Sequence, residues 1–285
     1  MKLFATLFTE NPMMIEITRF RRKFLGGGNA LNGVILAMCG LIYLGLLALV
    51  WNYREAAHPI AIIFLQTALF TLLAPALLHG AIAGERERRS WDFLLVAPIT
   101  HAQIVCGKFM GAAVAILVCA AFLCIPMLIG VVFYENYSYS YTGASTRSGI
   151  DFFKMLQAEL LSISWGFVVC AMTIFFSARC KRAFITLGTV LAILVGSLIV
   201  WPILTVSATM GSPDSLLNFF HPFWTIAQME VASRPYREDL VPAGIYGFPQ
   251  IFTYVAMTIV FLAWTERTLR FADAEVKFLP KHKDA

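Results

Sequence analysis

Charged residues are scarce in this chain. Only 14% of its 285 residues are Asp, Glu, Lys or Arg, whereas 59% are hydrophobic. A soluble domain ordinarily has about 25% charged and about 45–50% apolar residues. The composition therefore excludes a soluble globular enzyme, a disordered chain and a secreted disulfide scaffold, and it predicts an integral membrane protein. We attribute the net charge of +5 to basic loops on one side of a bilayer, with no nucleic-acid partner.

Lys and Arg are absent from six apolar segments, each close to the roughly 20 residues that a helix needs to cross a bilayer. A basic side chain at mid-bilayer costs about 2.5–3.5 kcal/mol, so these segments predict spans. They are residues 30–51, 59–83, 110–133, 160–178, 183–206 and 245–264. The predicted fold class is an all-α integral membrane protein with six transmembrane helices. Lys108 and Glu159 are expected just outside the spans, at interface depth.

The first 28 residues lack the apolar core and cleavage site of a signal peptide. They predict an amphipathic helix with Asn11 as N-cap and Pro12 at the first helical position. One apolar stripe recurs at helical spacing, and the opposite face is basic. The stripe comprises Met13, Ile17, Phe20 and Phe24. Such a helix is expected to lie in the membrane interface with its apolar face in lipid.

The loops differ sharply in basic charge. With a cytoplasmic N-terminus, 17 of the 22 Lys and Arg residues lie on the cytoplasmic side, which predicts that both termini are cytoplasmic in a multi-pass plasma or inner membrane protein. The predicted parts are a cytoplasmic N-terminus (1–28), a transmembrane domain (29–268) and a cytoplasmic tail (269–285). Within the domain, 84–104 is a cytoplasmic loop and 207–244 an outer loop.

Motifs for catalysis and metal binding are missing from the sequence. Gly107-Lys108 is the nearest approach to a phosphate loop, but Ala102 replaces the required first Gly and Phe109 the required Ser or Thr. There is no nucleophile elbow, paired-His zinc motif or CxxC pair. We therefore predict no catalytic residue, no metal site and no cofactor in this chain.

A few polar residues fall within or beside the second and fifth predicted spans. They are Gln66, Thr67, Thr71, His79, Thr186 and Thr189. Polar groups in spans usually face the bundle or a water-filled cavity. Hydrogen bonding between helices is one interpretation, and a substrate path along the two spans is the other.

The first cytoplasmic loop carries the most specific pattern. A charged turn is followed by a short apolar helix, 91–96, which Pro98 stops. Thr100 then predicts a cap for the next helix, with Gln103 as its capping-box partner. A short apolar helix between charged flanks either docks into a partner or lies on lipid.

This loop resembles that of the type-2 ABC-transporter permeases, and the resemblance covers nearly the whole chain. The matching stretches are Glu85-Arg86-Glu87, Leu94-Leu95-Val96-Ala97-Pro98 and, at the entry to the third span, Gly107-Lys108. Asn11-Pro12 and His221-Pro222-Phe223-Trp224 are also similar to the family, which often has Asn in place of His221.

The resemblance implies a transmembrane subunit of an ATP-driven transporter, usually an exporter, and not an enzyme. A second permease subunit would pair with it as a homo- or heterodimer, and a separate ABC ATPase subunit would bind ATP and Mg. The loop would couple the ATPase to alternating access. The coupling residues implied are Glu85, Glu87, Arg88, Trp91, Leu94, Leu95 and Pro98.

The segment before the sixth span is similar to the family's short outer re-entrant helices. Ser212-Pro213 predicts a helix start, and Pro222 is expected to break that helix before Phe223 and Trp224. The alternative to the transporter is a membrane scaffold or sensor that binds a cytoplasmic partner through the same 84–104 loop. A neighbouring ATPase gene would favour the transporter.

Overall fold

A computed structural model gives the architecture of the chain. It describes residues 11–14, 30–53, 59–91, 94, 98–133, 136–139, 145–148, 152–208, 218, 220–231 and 247–278. The helices in chain order are a 3₁₀ turn Pro12–Met14, α1 Ala30–Asn52, α2 Pro59–Leu78, α3 Ala83–Glu87, α4 His101–Phe133, α5 Phe152–Arg179, α6 Ala183–Val195, α7 Trp201–Ala208, α8 Pro222–Val231 and α9 Phe248–Phe278. The strands are β1 Asn136–Tyr139 and β2 Ser145–Ser148.

Five stretches are long and apolar enough to cross a membrane, among the residues described. They are Pro59–Glu87, His101–Phe133, Phe152–Arg179, Ala183–Thr205 and Phe248–Phe271. Ala37–Asn52, within α1, is a shorter apolar helix. Large apolar side chains such as Leu41, Phe184 and Phe252 are exposed on the outside of the bundle. A bilayer would cover such a surface, so the helical membrane architecture is confirmed.

Helices α4 and α5 extend beyond the predicted third and fourth spans. Helix α4 begins at His101, directly after the predicted cap Thr100, and α5 begins at Phe152. Lys108 and Glu159, expected just outside the spans, therefore lie within these two long helices. Glu159 is seven residues into α5, about 10 Å along its axis at 1.5 Å per residue.

The predicted fifth span is one continuous helical path with an irregular middle. Residues Gly196–Val200 form a π-helical segment between α6 and α7. Such wide turns frequently occur at functional sites. The last helix is also longer than predicted, since α9 continues to Phe278 and takes in part of the predicted tail.

A small antiparallel ribbon accompanies the helical bundle. Strands β1 and β2 pair with Asn136 opposite Ser148 and Tyr139 opposite Ser145. Tyr and Thr favour strands, and short ribbons need few residues. The ribbon lies in the connection between α4 and α5.

Helix α5 is the centre of the bundle. Within its apolar window 78% of residues are buried, against 17% for the stretch Ala183–Thr205. Gly166 permits this close packing, because a Cβ there would lie only 3.1 Å from Ile116 and 3.2 Å from Phe70. Helices α2 and α4 thus approach the backbone of α5 at one position.

Candidate functional site: a charged junction and a polar cluster

A charged junction forms where α3 meets three longer helices. We call it the α3 junction: Glu85, Arg86 and Glu87 together with Lys108, Ser177 and Ala183. Glu85 bonds to Lys108 of α4, with 2.7 Å between Oε1 and Nζ. The two side chains are only 19% and 5% exposed, so the pair is largely shielded from solvent. Glu85 thereby fixes α3 against α4.

Arg86 joins α3 to the end of α5. Its Nη1 donates to the carbonyl of Ala178 at 2.7 Å, one of the carbonyls in the last turn of α5. A cation near a helix C-terminus is favoured by the helix dipole. The guanidinium carbon also lies 5.4 Å from the centre of the Trp91 ring, within the range of a cation–π contact.

Glu87 and Ser177 cap two helix starts. Glu87 Oε1 accepts the backbone N–H of Ala183, the first residue of α6, at 3.1 Å. Ser177 Oγ accepts the N–H groups of Ile82 and Ala83, both at 3.0 Å, at the start of α3. The same hydroxyl donates to the carbonyl of His79 at 3.0 Å. Successive side chains of the Glu-Arg-Glu run thus reach α4, α5 and α6.

Two arginines lie on the outer surface of the junction. Arg88 and Arg89 are exposed, as are Glu87 and Pro98. Arg89 takes a left-handed backbone conformation with φ of 56°, which ends α3 sharply.

The apolar helix of this loop is less accessible than its sequence suggests. Trp91 is 6% exposed and packs into the core, and Leu94 is half-buried, so Trp91 offers no free apolar surface. Glu85 bonds to Lys108, and Glu87 bonds to the backbone N–H of Ala183. Leu95 lies outside the described residues. The predicted capping box is confirmed, since Thr100 N–H donates to Gln103 Oε1 at 2.9 Å and Gln103 N–H to Thr100 Oγ1 at 3.2 Å.

The N-terminal turn packs beside the junction. Asn11 Oδ1 accepts the N–H of Met13 at 2.9 Å, as its predicted capping role requires, and its Nδ2 donates to the carbonyl of Gln103 at 2.9 Å. Met13 is 7% exposed and lies against Gly107. It therefore contacts protein, whereas the sequence predicted that it would face lipid. Ile17, Phe20 and Phe24 lie outside the described residues.

A polar cluster joins α2 to α5 in the interior of the bundle. Gln66 Nε2 donates to Glu159 Oε1 at 2.8 Å, and Thr67 Oγ1 lies 2.9 Å from Ser162 Oγ. One turn further along α2, Thr71 Oγ1 accepts the indole N–H of Trp165 at 3.0 Å. These bonds agree with the interpretation that the polar residues join helices, and they involve Glu159, Ser162 and Trp165 of α5, which the predicted substrate path did not include.

The other polar residues predicted for a substrate path are separate from this cluster. Thr186 and Thr189 donate to carbonyls of their own helix, those of Arg182 and Ile185. His79 Nδ1 contacts the carbonyl of Pro75, also within one helix. No hydrogen bond among the described residues joins the second-span group to the fifth-span group.

At the other end of the bundle, Pro222 begins a helix. It occupies the first position of α8, and His221 caps that helix, since Nδ1 accepts the N–H of Trp224 at 3.0 Å. The expectation that Pro222 only breaks a helix is therefore incomplete, because proline also suits a first turn. Phe223 stacks on Phe64 of α2 with ring centres 5.8 Å apart.

His221 also contacts the π-helical segment. Because Nδ1 is an acceptor, Nε2 carries the proton and donates to the carbonyl of Leu198 at 3.1 Å. Burial lowers the pKa of His221, and the bond to Leu198 opposes this effect. The neutral ring thus links α8 to the irregular part of the fifth predicted span.

The sequence matches the family described as ABC-2 family transporter protein over residues 17–276. The chain belongs to this family. No curated protein sequence matches it. As an ABC-2 permease it is a membrane transport subunit of an ABC transporter system, a role that implies an ATPase partner. The match covers the α3 junction and the polar cluster.

Sequence reasoning missed several residues of this permease that the structure brings together. Arg86 lies between Glu85 and Glu87 in the sequence, and its contact with the ring of Trp91 could have been considered from the presence of an arginine close to a tryptophan. The search for apolar residues at helical spacing does not examine such pairs. Ser177 and Lys108 belong to distant helices, so their roles depend on tertiary packing. Glu159 had a signal of its own, as an acidic residue next to an apolar run.

Proposed function

We propose that the chain is the permease subunit of an ATP-driven exporter, and that a separate ABC ATPase docks at the α3 junction. The observation that carries this proposal is the Glu-Arg-Glu run, whose three side chains reach α4, α5 and α6. A partner that moves α3 therefore pulls on three membrane helices at once. Alternating access needs such a rigid connection between the ATPase and the spans.

Six spans form the proposed membrane domain, with α1 as the first. Helix α1 has 23 residues and carries no charged residue. The α2–α4 and α5–α6 connections meet at the α3 junction, which supports their placement on one side of the bilayer. The basic residues concentrate there, so this side is cytoplasmic by the positive-inside rule. Both termini then lie on that side of the plasma or inner membrane.

Short helix α8 supports the proposed outer re-entrant segment. Its 10 residues reach about 15 Å, too short to cross a bilayer. Phe223 packs on α2, and Tyr254 of α9 donates from its hydroxyl to the carbonyl of Phe220 at 2.8 Å. Pro222, Phe223 and Trp224 would close the outer end of the domain. Two permease subunits, as a homo- or heterodimer, would line one path.

Copurification tests this proposal against the scaffold alternative. The tagged permease is expected to retain an ABC ATPase from membranes, and ATP hydrolysis should appear in the complex. The purified permease alone should bind no ATP stoichiometrically, because it lacks a Gly-rich phosphate loop with the following Ser or Thr. Copurification of a different partner without any ATPase would favour the scaffold or sensor.

A further inference from the structure

Glu159 is an acidic side chain buried inside the membrane domain, and one of its oxygens has no partner among the described residues. The residue is 7% exposed. Oε1 accepts the amide N–H of Gln66 at 2.8 Å, whereas Oε2 is buried with no hydrogen bond to the part of the chain that the structure describes. Burying an unpaired polar atom is costly, and an ionisable residue in a span commonly marks a ligand or ion path.

Gln66 links Glu159 to a pair of hydroxyl groups. Its Nε2 also lies 3.3 Å from Ser162 Oγ, and Thr67 Oγ1 lies 2.9 Å from the same hydroxyl. The carboxylate thus belongs to a polar cluster from two helices, and no ion pair to Glu159 is found among the described residues.

A proton on Oε2 would neutralise the carboxylate, but it would also turn this oxygen into an O–H donor that itself needs an acceptor. A cationic group supplies both the missing positive charge and a contact for Oε2. Oxygen ligands of this kind also suit hard cations.

We propose that the Glu159 carboxylate, beside Gln66 and Ser162, binds a singly charged cationic group between α2 and α5. The group is either a protonated amine of an organic substrate or a small inorganic monovalent cation, which present the same charge to the carboxylate. Because Oε2 is enclosed, the site is occluded in this conformation. Transport of the bound cation rests on the proposed function. Binding of the cation does not require the ATPase.

Carbodiimide labelling tests the site in the full-length permease in lipid nanodiscs. Dicyclohexylcarbodiimide attacks protonated carboxyl groups in apolar surroundings, and a bound cation would keep Glu159 ionised and covered. Labelling of Glu159 is followed by peptide mass spectrometry in sodium, potassium or butylammonium chloride. N-methylglucamine chloride of equal ionic strength is the reference. Glu266 of α9, which pairs with Arg270, is the internal control.

A cation at about ten times its Kd should slow labelling of Glu159 about tenfold, since protection follows 1 + [L]/Kd. Protection by sodium or potassium identifies an inorganic cation, and protection by butylammonium alone identifies an amine. Equal labelling of Glu159 in all salts, or a rate that changes with pH alone, would overturn the proposal.

Direct binding covers the case in which Glu159 does not react in the reference salt. Equilibrium dialysis with radioactive sodium, rubidium as the potassium analogue, and methylamine compares the parent with Glu159→Gln. That change keeps an acceptor for Gln66 but removes the charge, and it is expected to abolish binding. Thr173→Val, on the same helix with a hydroxyl bonded to Val169, is the matched control. Equal binding by the parent and Glu159→Gln, or no binding by either, contradicts the proposal whether or not an ATPase docks.

Discussion

Glu87 of α3 accepts the backbone N–H of Ala183 at 3.1 Å and so caps the start of α6 across a separation of 96 residues. A carboxylate at this position interacts favourably with the positive end of the helix. The bond ties the short helix of the proposed docking loop to the fifth predicted span. It also gives Glu87 a role in which charge matters more than volume.

Replacing Glu87 tests this role. Glu87→Gln should leave expression and thermal stability nearly unchanged, because the side chain is exposed and the amide oxygen can still accept the N–H. Transport, or ATPase activity stimulated by the permease, should fall by a larger factor than expression. Equal rates for Glu87→Gln and the parent would show that its charge does not position α6.

The buried Glu85–Lys108 pair should be sensitive to loss of one member. Lys108→Met leaves a shielded carboxylate whose Oε2 has no hydrogen-bond partner among the described residues, so we expect a loss of about 3 kcal/mol in the free energy of unfolding. The double variant Glu85→Gln/Lys108→Met should lose less than Lys108→Met alone. Denaturant titration in detergent measures both. Additive losses would mean that the two side chains are not coupled.

Gly107 permits the N-terminal turn to approach α4. A Cβ at this position would lie 2.4 Å from Met13 Cβ, so Gly107→Ala should destabilise the protein by about 1–3 kcal/mol. Gly188→Ala on α6 is the control, because nothing lies within 4 Å of its added Cβ. Thermal unfolding compares the two. Equal Tm values for Gly107→Ala and Gly188→Ala would show that the N-terminal turn does not pack against Gly107.

His221 predicts a loss of stability in acid. Its pKa is lowered in the folded protein, so the unfolded chain binds a proton first as pH falls through about 6.5. Stability should therefore decrease from pH 7 towards pH 5, as Nδ1 gains a proton and can no longer accept from Trp224. His221→Gln should flatten this part of the Tm profile. If the dependence of Tm on pH is the same in His221→Gln as in the parent, groups other than His221 cause the loss of stability in acid.

Local patterns predicted local structure well in this chain. The spacing of Thr100 and Gln103 was enough to predict a capping box, because both partners lie in one helical turn. The burial of Glu159 in the bundle was not predictable in this way, since its partner Gln66 is 93 residues away. The stripe containing Met13 indicated an apolar face, but periodicity cannot tell a neighbouring helix from lipid.

The proposed docking surface gives the most direct test of the account. Arg88 and Arg89 are exposed at the end of α3, beyond the residues that hold the junction together. The measurement is the Kd of the cognate ATPase for the permease in nanodiscs, with Lys154→Glu at the opposite end of α5 as control. Arg88→Glu/Arg89→Glu should raise this Kd at least about tenfold, roughly 1.4 kcal/mol, while Lys154→Glu leaves it unchanged. Equal Kd values for the parent and the double variant would contradict docking of the ATPase at the α3 junction.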